Sequence, residues 1–353
     1  MVKKKKKKAA CVWRGPEEDG ITQSLLSRFL VCRERFRLLV VEGLRPADDF
    51  NHRIEYGNMW HLCEEKQAGK EEWEGPLKDY ARELISRYPL AQEQIEKWYN
   101  VCKIQFPIYV TYWSKNPDEK SRTPLVQEES FSVPYPLPSG RMVTLRGKWD
   151  SVDWIGPKRG GGVYLQENKT KGDIQEDSLK RQLHFDLQTL MYMVALEESD
   201  SVDGPLKGIR YNVVRRPLSG GRGSIRQHKP SKSNPRGEDP QQFYNRLSGI
   251  IGDDADYHFM RWRVEIGPED LTRFRREFLN PVLEQLWDWW EFITTGHNGD
   301  PFDPGTGRAV HWRHPFGVWN PLNEGRASEL DEYLETGSDL GLERTEDLFP
   351  ELD

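Results

Sequence analysis

The sequence has no run of about eighteen uninterrupted apolar residues, so a membrane-crossing helix is not expected. Nor does an apolar core follow the basic start Lys3–Lys8, where Ala-Ala-Cys-Val-Trp gives way to charge; a secretory signal is not expected either. Cysteine is scarce. Cys11, Cys32, Cys63 and Cys102 contain no CxxC pair, which argues against a disulfide framework or a structural zinc site and makes the reducing cytoplasm the expected compartment. No internal repeat is found. What is present is aromatic: 13 Trp, 13 Tyr and 14 Phe in 353 residues, with 36% hydrophobic and 31% charged residues. That composition is too apolar for a disordered chain and can fill a sizeable core.

The net charge of −6 is unevenly placed. Lys3–Lys8 and Arg14 outnumber Glu17, Glu18 and Asp19 at the start, whereas residues 323–353 are rich in Asp and Glu and hold only Arg326 and Arg344 as bases. The expected division is a disordered basic tail over 1–19, one domain over 20–322 and an acidic disordered tail over 323–353. Within the domain, residues 207–236 carry Lys207, Arg210, Arg215, Arg216, Arg222, Arg226, Lys229, Lys232 and Arg236 and no acid. Such a segment is either a solvated loop or a contact for a polyanion.

Leu25, Leu26, Phe29, Cys32, Phe36, Leu39 and Val40 recur at steps of three and four, which predicts a helix over 22–43, capped by Thr22 or Ser24 and ended by Gly43 and Pro46. Helices are also predicted over 56–66, 77–88 and 91–113, giving a helical part over 20–117. The texture then changes. Residues 125–133 and 141–154 alternate around Pro138-Ser139-Gly140 as a hairpin would, and 163–169 reads as a third strand. A helix over 179–197, a strand over 208–214, a short helix over 241–251 and a strand over 257–266 follow. A long helix is predicted from Pro268 to about Ile293. The order describes an α/β fold, with a catalytic sheet and helix over 124–197, a basic loop over 215–239 and a C-terminal helical part over 268–322.

The chemistry concentrates in Gly147-Lys-Trp-Asp150-Ser-Val-Asp153 and Leu165-Gln-Glu167-Asn-Lys169. Alternate strand residues share a face, so Glu167 and Lys169 project together. With an aspartate from the neighbouring strand they form an anionic cup that suits a hard divalent cation, with an ammonium beside it. Asp150 is the first choice for that aspartate and Asp153, on the opposite strand face, the second. An acid two residues before a lysine also occurs at Glu64–Lys66 and Asp118–Lys120, but only Glu167 follows a hairpin bearing an aspartate; the plain alternative is an ion pair with Lys169. Gly57-Asn-Met-Trp-His61 places an imidazole on an early helix, its glycine allowing close approach of another backbone. Gln188 and Tyr192 share one face of the helix after the third strand.

In this order the pieces resemble the PD-(D/E)XK nuclease superfamily, and within it the RecB-like branch of CRISPR-associated and phage exonucleases. The resemblance runs from Ser24 to about Glu197. Ser24 to Phe36 looks like the first helix of that branch, with Arg33 where proline usually follows the cysteine. Gly57–His61 matches GxxxH, Asp150 the motif II aspartate, Glu167 and Lys169 the ExK, and Gln188 and Tyr192 the QxxxY. The resemblance implies a restriction-endonuclease-like core, a central mixed β-sheet flanked by helices behind a helical N-terminal part. It implies Mg²⁺- or Mn²⁺-dependent hydrolysis of DNA phosphodiester bonds, as an exonuclease in repair, recombination or phage DNA metabolism. His61, Asp150, Glu167 and the backbone carbonyl of Asn168 would hold the metal, and Asp150, Glu167 and Lys169 would act in catalysis. Gln188, Tyr192, Arg215, Arg216, Arg222 and Arg226 would contact single- or double-stranded DNA or order the site. A helicase or recombination partner fits the branch. A catalytically inactive nucleic-acid-binding module of the same fold is the alternative. No iron–sulfur cluster is expected, because no cysteine follows Cys102, and His311 and His314 read as surface or packing residues.

Overall fold

The fold is that of a computed structural model, which describes residues 12–31, 33–46, 50–116, 120–199, 201–219, 224–232, 235–295, 341–345, 347–349 and 352. Arg222, His311, His314 and most of the acidic stretch lie outside the described residues.

Helix α1 spans Gln23–Val31, with the Thr22 hydroxyl accepting from the Leu25 N–H at 3.3 Å as its cap. The helix predicted over 22–43 does not run through. A short turn at Arg33–Phe36 leads into a π-helical turn at Arg37–Val41, and Gly43 at φ 65° reverses the chain into β1, Leu44–Pro46. A side chain at Gly43 would meet the Thr345 carbonyl at 2.6 Å, so close passage of the C-terminal segment requires glycine there. Three helices follow: α2 His52–Ala68, α3 Glu74–Arg87 and α4 Gln92–Trp113.

The hairpin forms as its alternation predicts, β2 over Arg122–Pro136 and β3 over Met142–Ile155, followed by β4 over Gly162–Lys171. The single helix expected over 179–197 is broken into α5, Glu176–Leu183, and α6, Leu187–Glu198. The break is chemical: the Asp186 carboxylate accepts from the Thr189 N–H at 3.1 Å and starts a new helix. Then come β5 Leu206–Arg215, α7 Pro240–Asp253 and β6 Phe259–Glu265. The last long helix is α8, Pro268–Phe274, continued through a π turn at Arg275–Leu279 into α9, Asn280–Thr295.

Strands β2-β3-β4-β5-β6 make one mixed sheet, with β4 and β5 parallel and the other pairs antiparallel. Two apolar layers cover it. On one face Leu25, Phe29, Leu190, Leu283 and Trp289 gather with Val152, Leu165, Ile209 and Tyr211. On the other, Trp60, Leu77, Leu84, Phe106 and Leu247 gather with Val214 and Phe259. A central strand buried from both sides reads as a continuous apolar run rather than an alternation, as Val163–Leu165 does.

The expected tails need correction at their inner ends. Trp13 is fully buried, its ring meeting Phe36 at 5.2 Å and Trp290 at 4.9 Å, so residues 12–19 belong to the packed body. At the other terminus β7, Leu342–Arg344, pairs antiparallel with β1, and Leu348 is buried in the main core.

Candidate active site

The pairing of Ser151 with Gln166, continued by one residue, sets Asp150 opposite Glu167. The Asn168 N–H donates to Asp150 Oδ2 at 2.8 Å, tying the two strands at that point. Lys169 Nζ donates to Glu167 Oε1 at 2.5 Å and to Gln188 Oε1 at 2.8 Å, while Gln188 Nε2 donates back to the same Glu167 oxygen at 2.8 Å. Gln188 sits in the first turn of α6, in reach only because the Asp186 cap begins that helix beside β4. From the opposite layer, α2 brings His61 Nδ1 to 3.7 Å from Asp150 Oδ1. The sequence-predicted His61, Asp150, Glu167, Lys169 and Gln188 thus meet in one neighbourhood.

Buried carboxylates set the electrostatics. Burial pushes Glu167 up to about 7; Lys169 opposes that rise and Asp150 adds to it. Asp150 is likewise raised, by burial and then by Glu128, against the pull of His61 and the Asn168 N–H. Burial alone would lower His61, but Asp150, Glu128 and Glu64 together push it up to about 10. The same concentration of negative charge that raises His61 attracts a cation, which on binding would displace the imidazole proton.

Several assignments change. Asp153 is fully buried and faces Arg122 Nε at 2.8 Å and Arg210 Nη2 at 3.1 Å, with Ser151 donating at 2.7 Å, so it anchors an internal ion network instead of lining the cup. Arg215 is buried too: its guanidinium lies 3.9 Å from the Tyr257 ring centre and donates to the Tyr257 carbonyl at 3.1 Å, which removes it from any DNA-facing surface. Tyr192 is a core residue, edge-on to Phe131 at 5.2 Å, with its backbone carbonyl near Trp149 Nε1. Arg216 is half-buried and donates to the Thr170 carbonyl at 2.9 Å. Arg226 is exposed. At Gly57 an added Cβ would meet only Thr170 Oγ1 at 3.7 Å, an ordinary contact, so close backbone approach is not what its glycine serves.

Two acids were missed. Glu128 on β2 lies between the pairs Gln127–Ser151 and Glu129–Trp149, hence opposite Asp150, with Oε1 3.9 Å from His61 Nδ1. The signal was available: positions 128 and 150 are mirror images about Ser139, the centre of the turn. Glu64, one helical turn beyond His61, accepts from Tyr109 at 2.5 Å and from Asn212 at 2.9 Å, and burial pushes it up to about 7. No local spacing marks a partner set drawn from three elements.

One ligand atom each from His61, Glu128 and Asp150 lie within 4.8 Å of one another, and Glu167 Oε2 is buried without a hydrogen-bond partner. An imidazole with several carboxylate oxygens, one of them unsatisfied, fits a divalent cation of the Mg²⁺ or Mn²⁺ kind. Against this geometry, the profile of the PD-(D/E)XK nuclease superfamily matches residues 21–278. The chain belongs to the PD-(D/E)XK nuclease superfamily. Membership implies a metal-dependent nuclease acting on DNA, and all the residues named above for the cup fall inside the matched segment. No curated protein matches the chain. Among the described residues no helix is long and apolar enough to cross a membrane.

Proposed function

We propose that this PD-(D/E)XK protein is a Mg²⁺- or Mn²⁺-dependent deoxyribonuclease of the RecB-like type, working as an exonuclease in DNA repair, recombination or phage DNA metabolism. The observation that carries the reading is the closed triangle of Glu167, Lys169 and Gln188, one strand away from Asp150. His61, Asp150, Glu167 and the Asn168 carbonyl would hold the cation, which when bound polarises the scissile phosphate and lowers the pKa of water. Lys169 directs its ammonium toward the attacking water and offsets the charge that gathers on the phosphate oxygens. Gln188 holds Glu167 and Lys169 in register, which favours an ordering role over contact with DNA. Arg216, Arg226 and the exposed Lys229, Lys232 and Arg236 supply phosphate contacts along the strand. A helicase or recombination protein is the partner that fits a nuclease of this type. The compartment proposed is the reducing cytoplasm, on the scarcity of cysteine and the lack of a CxxC pair.

The test is cleavage of single- and double-stranded DNA, linear and closed circular, with Mg²⁺ or Mn²⁺. Lys169→Ala and Glu167→Ala should each lower the rate by at least about a hundredfold, roughly 3 kcal/mol of barrier. An exonuclease spares the circles. Variants that cut like the parent remove the assignment.

A further inference from the structure

The three groups nearest to forming a cation seat are not the three that the superfamily resemblance supplies. His61 comes from α2, Asp150 from β3, and the third is Glu128 from β2, while Glu167, across the ladder from Asp150, is bonded to Lys169 and Gln188 through its other oxygen. Glu128 is an acid on a strand whose partner across the ladder is also an acid. Like charges directly opposite destabilise a sheet unless something between them is positive. Its backbone is also unusual: φ is 44°, a left-handed conformation that non-glycine residues adopt only under strain. The side chain is nearly buried, at 11% exposed, with Oε1 toward His61 and Oε2 3.2 Å from Lys148 Nζ.

Asp150 divides its oxygens in a matching way. Oδ2 takes the Asn168 N–H from β4, and Oδ1 faces His61. A second, independent feature points to a ligand at this place. Glu167 Oε2 has no partner although its side chain is only 3% exposed, and Glu167 and Asp150 feel each other's charge. A buried carboxylate oxygen without a donor is a rare feature that a bound cation would satisfy.

We propose that Glu128 is a direct ligand of the cation, completing with His61 and Asp150 a seat built from α2, β2 and β3. The inference rests on the reading of the site as a cation-dependent nuclease and extends its ligand set by a residue outside the His, Asp and ExK pattern. Lys148 then has a defined place: its ammonium occupies the outer oxygen of Glu128 and competes with metal for that carboxylate. One imidazole with two carboxylates at a single seat suits Mn²⁺ better than Mg²⁺, which keeps more of its water and prefers oxygen.

The experiment is calorimetric titration of the full chain with Mn²⁺ alone, without DNA, so that the readout is separate from cleavage. Glu128→Gln should weaken Mn²⁺ binding at least tenfold, as Asp150→Asn should. Lys148→Met should leave the affinity unchanged or raise it. A purely structural Glu128–Lys148 ion pair predicts instead that Lys148→Met weakens binding as much as Glu128→Gln, and that result would overturn the proposal. So would Mn²⁺ affinity in Glu128→Gln equal to the parent's. Should Glu128→Gln fold poorly, Glu128→Asn serves, since asparagine adopts the left-handed conformation readily. A parent that takes up no Mn²⁺ overturns this ligand and the metal-dependent reading together. Parent uptake with an unaffected Glu128→Gln removes only the ligand.

Discussion

Asp150 and Asp153 differ in what they answer to, and one substitution separates them. Asp153→Asn keeps the shape of the side chain and removes its charge. Two guanidiniums then lose the Asp153 carboxylate: that of Arg122, 15% exposed on its side chain, and that of Arg210, 0% exposed. Arg122 can turn toward water, but Arg210 cannot. Breaking a buried pair from one side costs about 3–5 kcal/mol, because it strands the remaining charge. At the roughly 2–4 °C per kcal/mol typical of domains approaching this size, melting should fall by roughly 6–20 °C. Differential scanning calorimetry of the parent, Asp153→Asn and Asp150→Asn gives the comparison. Asp150→Asn should melt close to the parent and lose Mn²⁺ binding and cleavage. Adding Arg210→Met to Asp153→Asn should recover part of the loss, since the double variant no longer leaves the buried Arg210 guanidinium facing a neutral amide. If Asp153→Asn melts within about 2 °C of the parent while Asp150→Asn is the unstable variant, the two aspartates have been assigned the wrong way round.

Other consequences are simpler to check. Gly147→Ala should destabilise by about 1–3 kcal/mol in urea, because its Cβ would stand 2.6 Å from Phe131 and 2.7 Å from Tyr192 in a packed core. Gly57→Ala should do the reverse, raising stability by roughly 0.5–1 kcal/mol, since a helix-interior glycine with room for a methyl group gains from the change. His258, 2% exposed, is lowered to about 4 by burial and by Arg215. The unfolded chain therefore binds more protons below the ordinary histidine value of about 6.5, and stability is lost as pH falls from there toward about 4. Equilibrium unfolding of His258→Gln across that window should show a shallower acid slope than the parent; an identical slope refutes the assignment.

Much of the site could be read from the linear order because its parts lie on elements with strong local signals. The hairpin about Ser139 placed Asp150, strand parity paired Glu167 with Lys169, and the helical stretch expected after the third strand held Gln188. What escaped required distance information. By charge Arg215 belongs to a basic stretch, but it ends β5 and its side chain turns inward to Tyr257. Charge counting ignores which way a strand residue points. The break at Asp186 was hidden because Leu179–Glu197 keeps helical composition on both sides, and only a cap hydrogen bond divides it. Burial in β3 switches from alternate residues through Trp149 to three in succession at Ser151, Val152 and Asp153. Alternation alone therefore favours neither aspartate, and the choice falls to partners 57 positions away at Arg210.

The short ladder between β1 and β7 joins segments far apart along the chain, with Arg344 reaching back to the Glu42 carbonyl across 302 positions. At about 5–20 residues per second of synthesis, β1 emerges from the ribosome roughly 15–60 s before the strand that will cover it. For that interval Leu44–Pro46 is an open edge, and its proline, which offers no N–H, makes it a poor template for a neighbouring nascent chain.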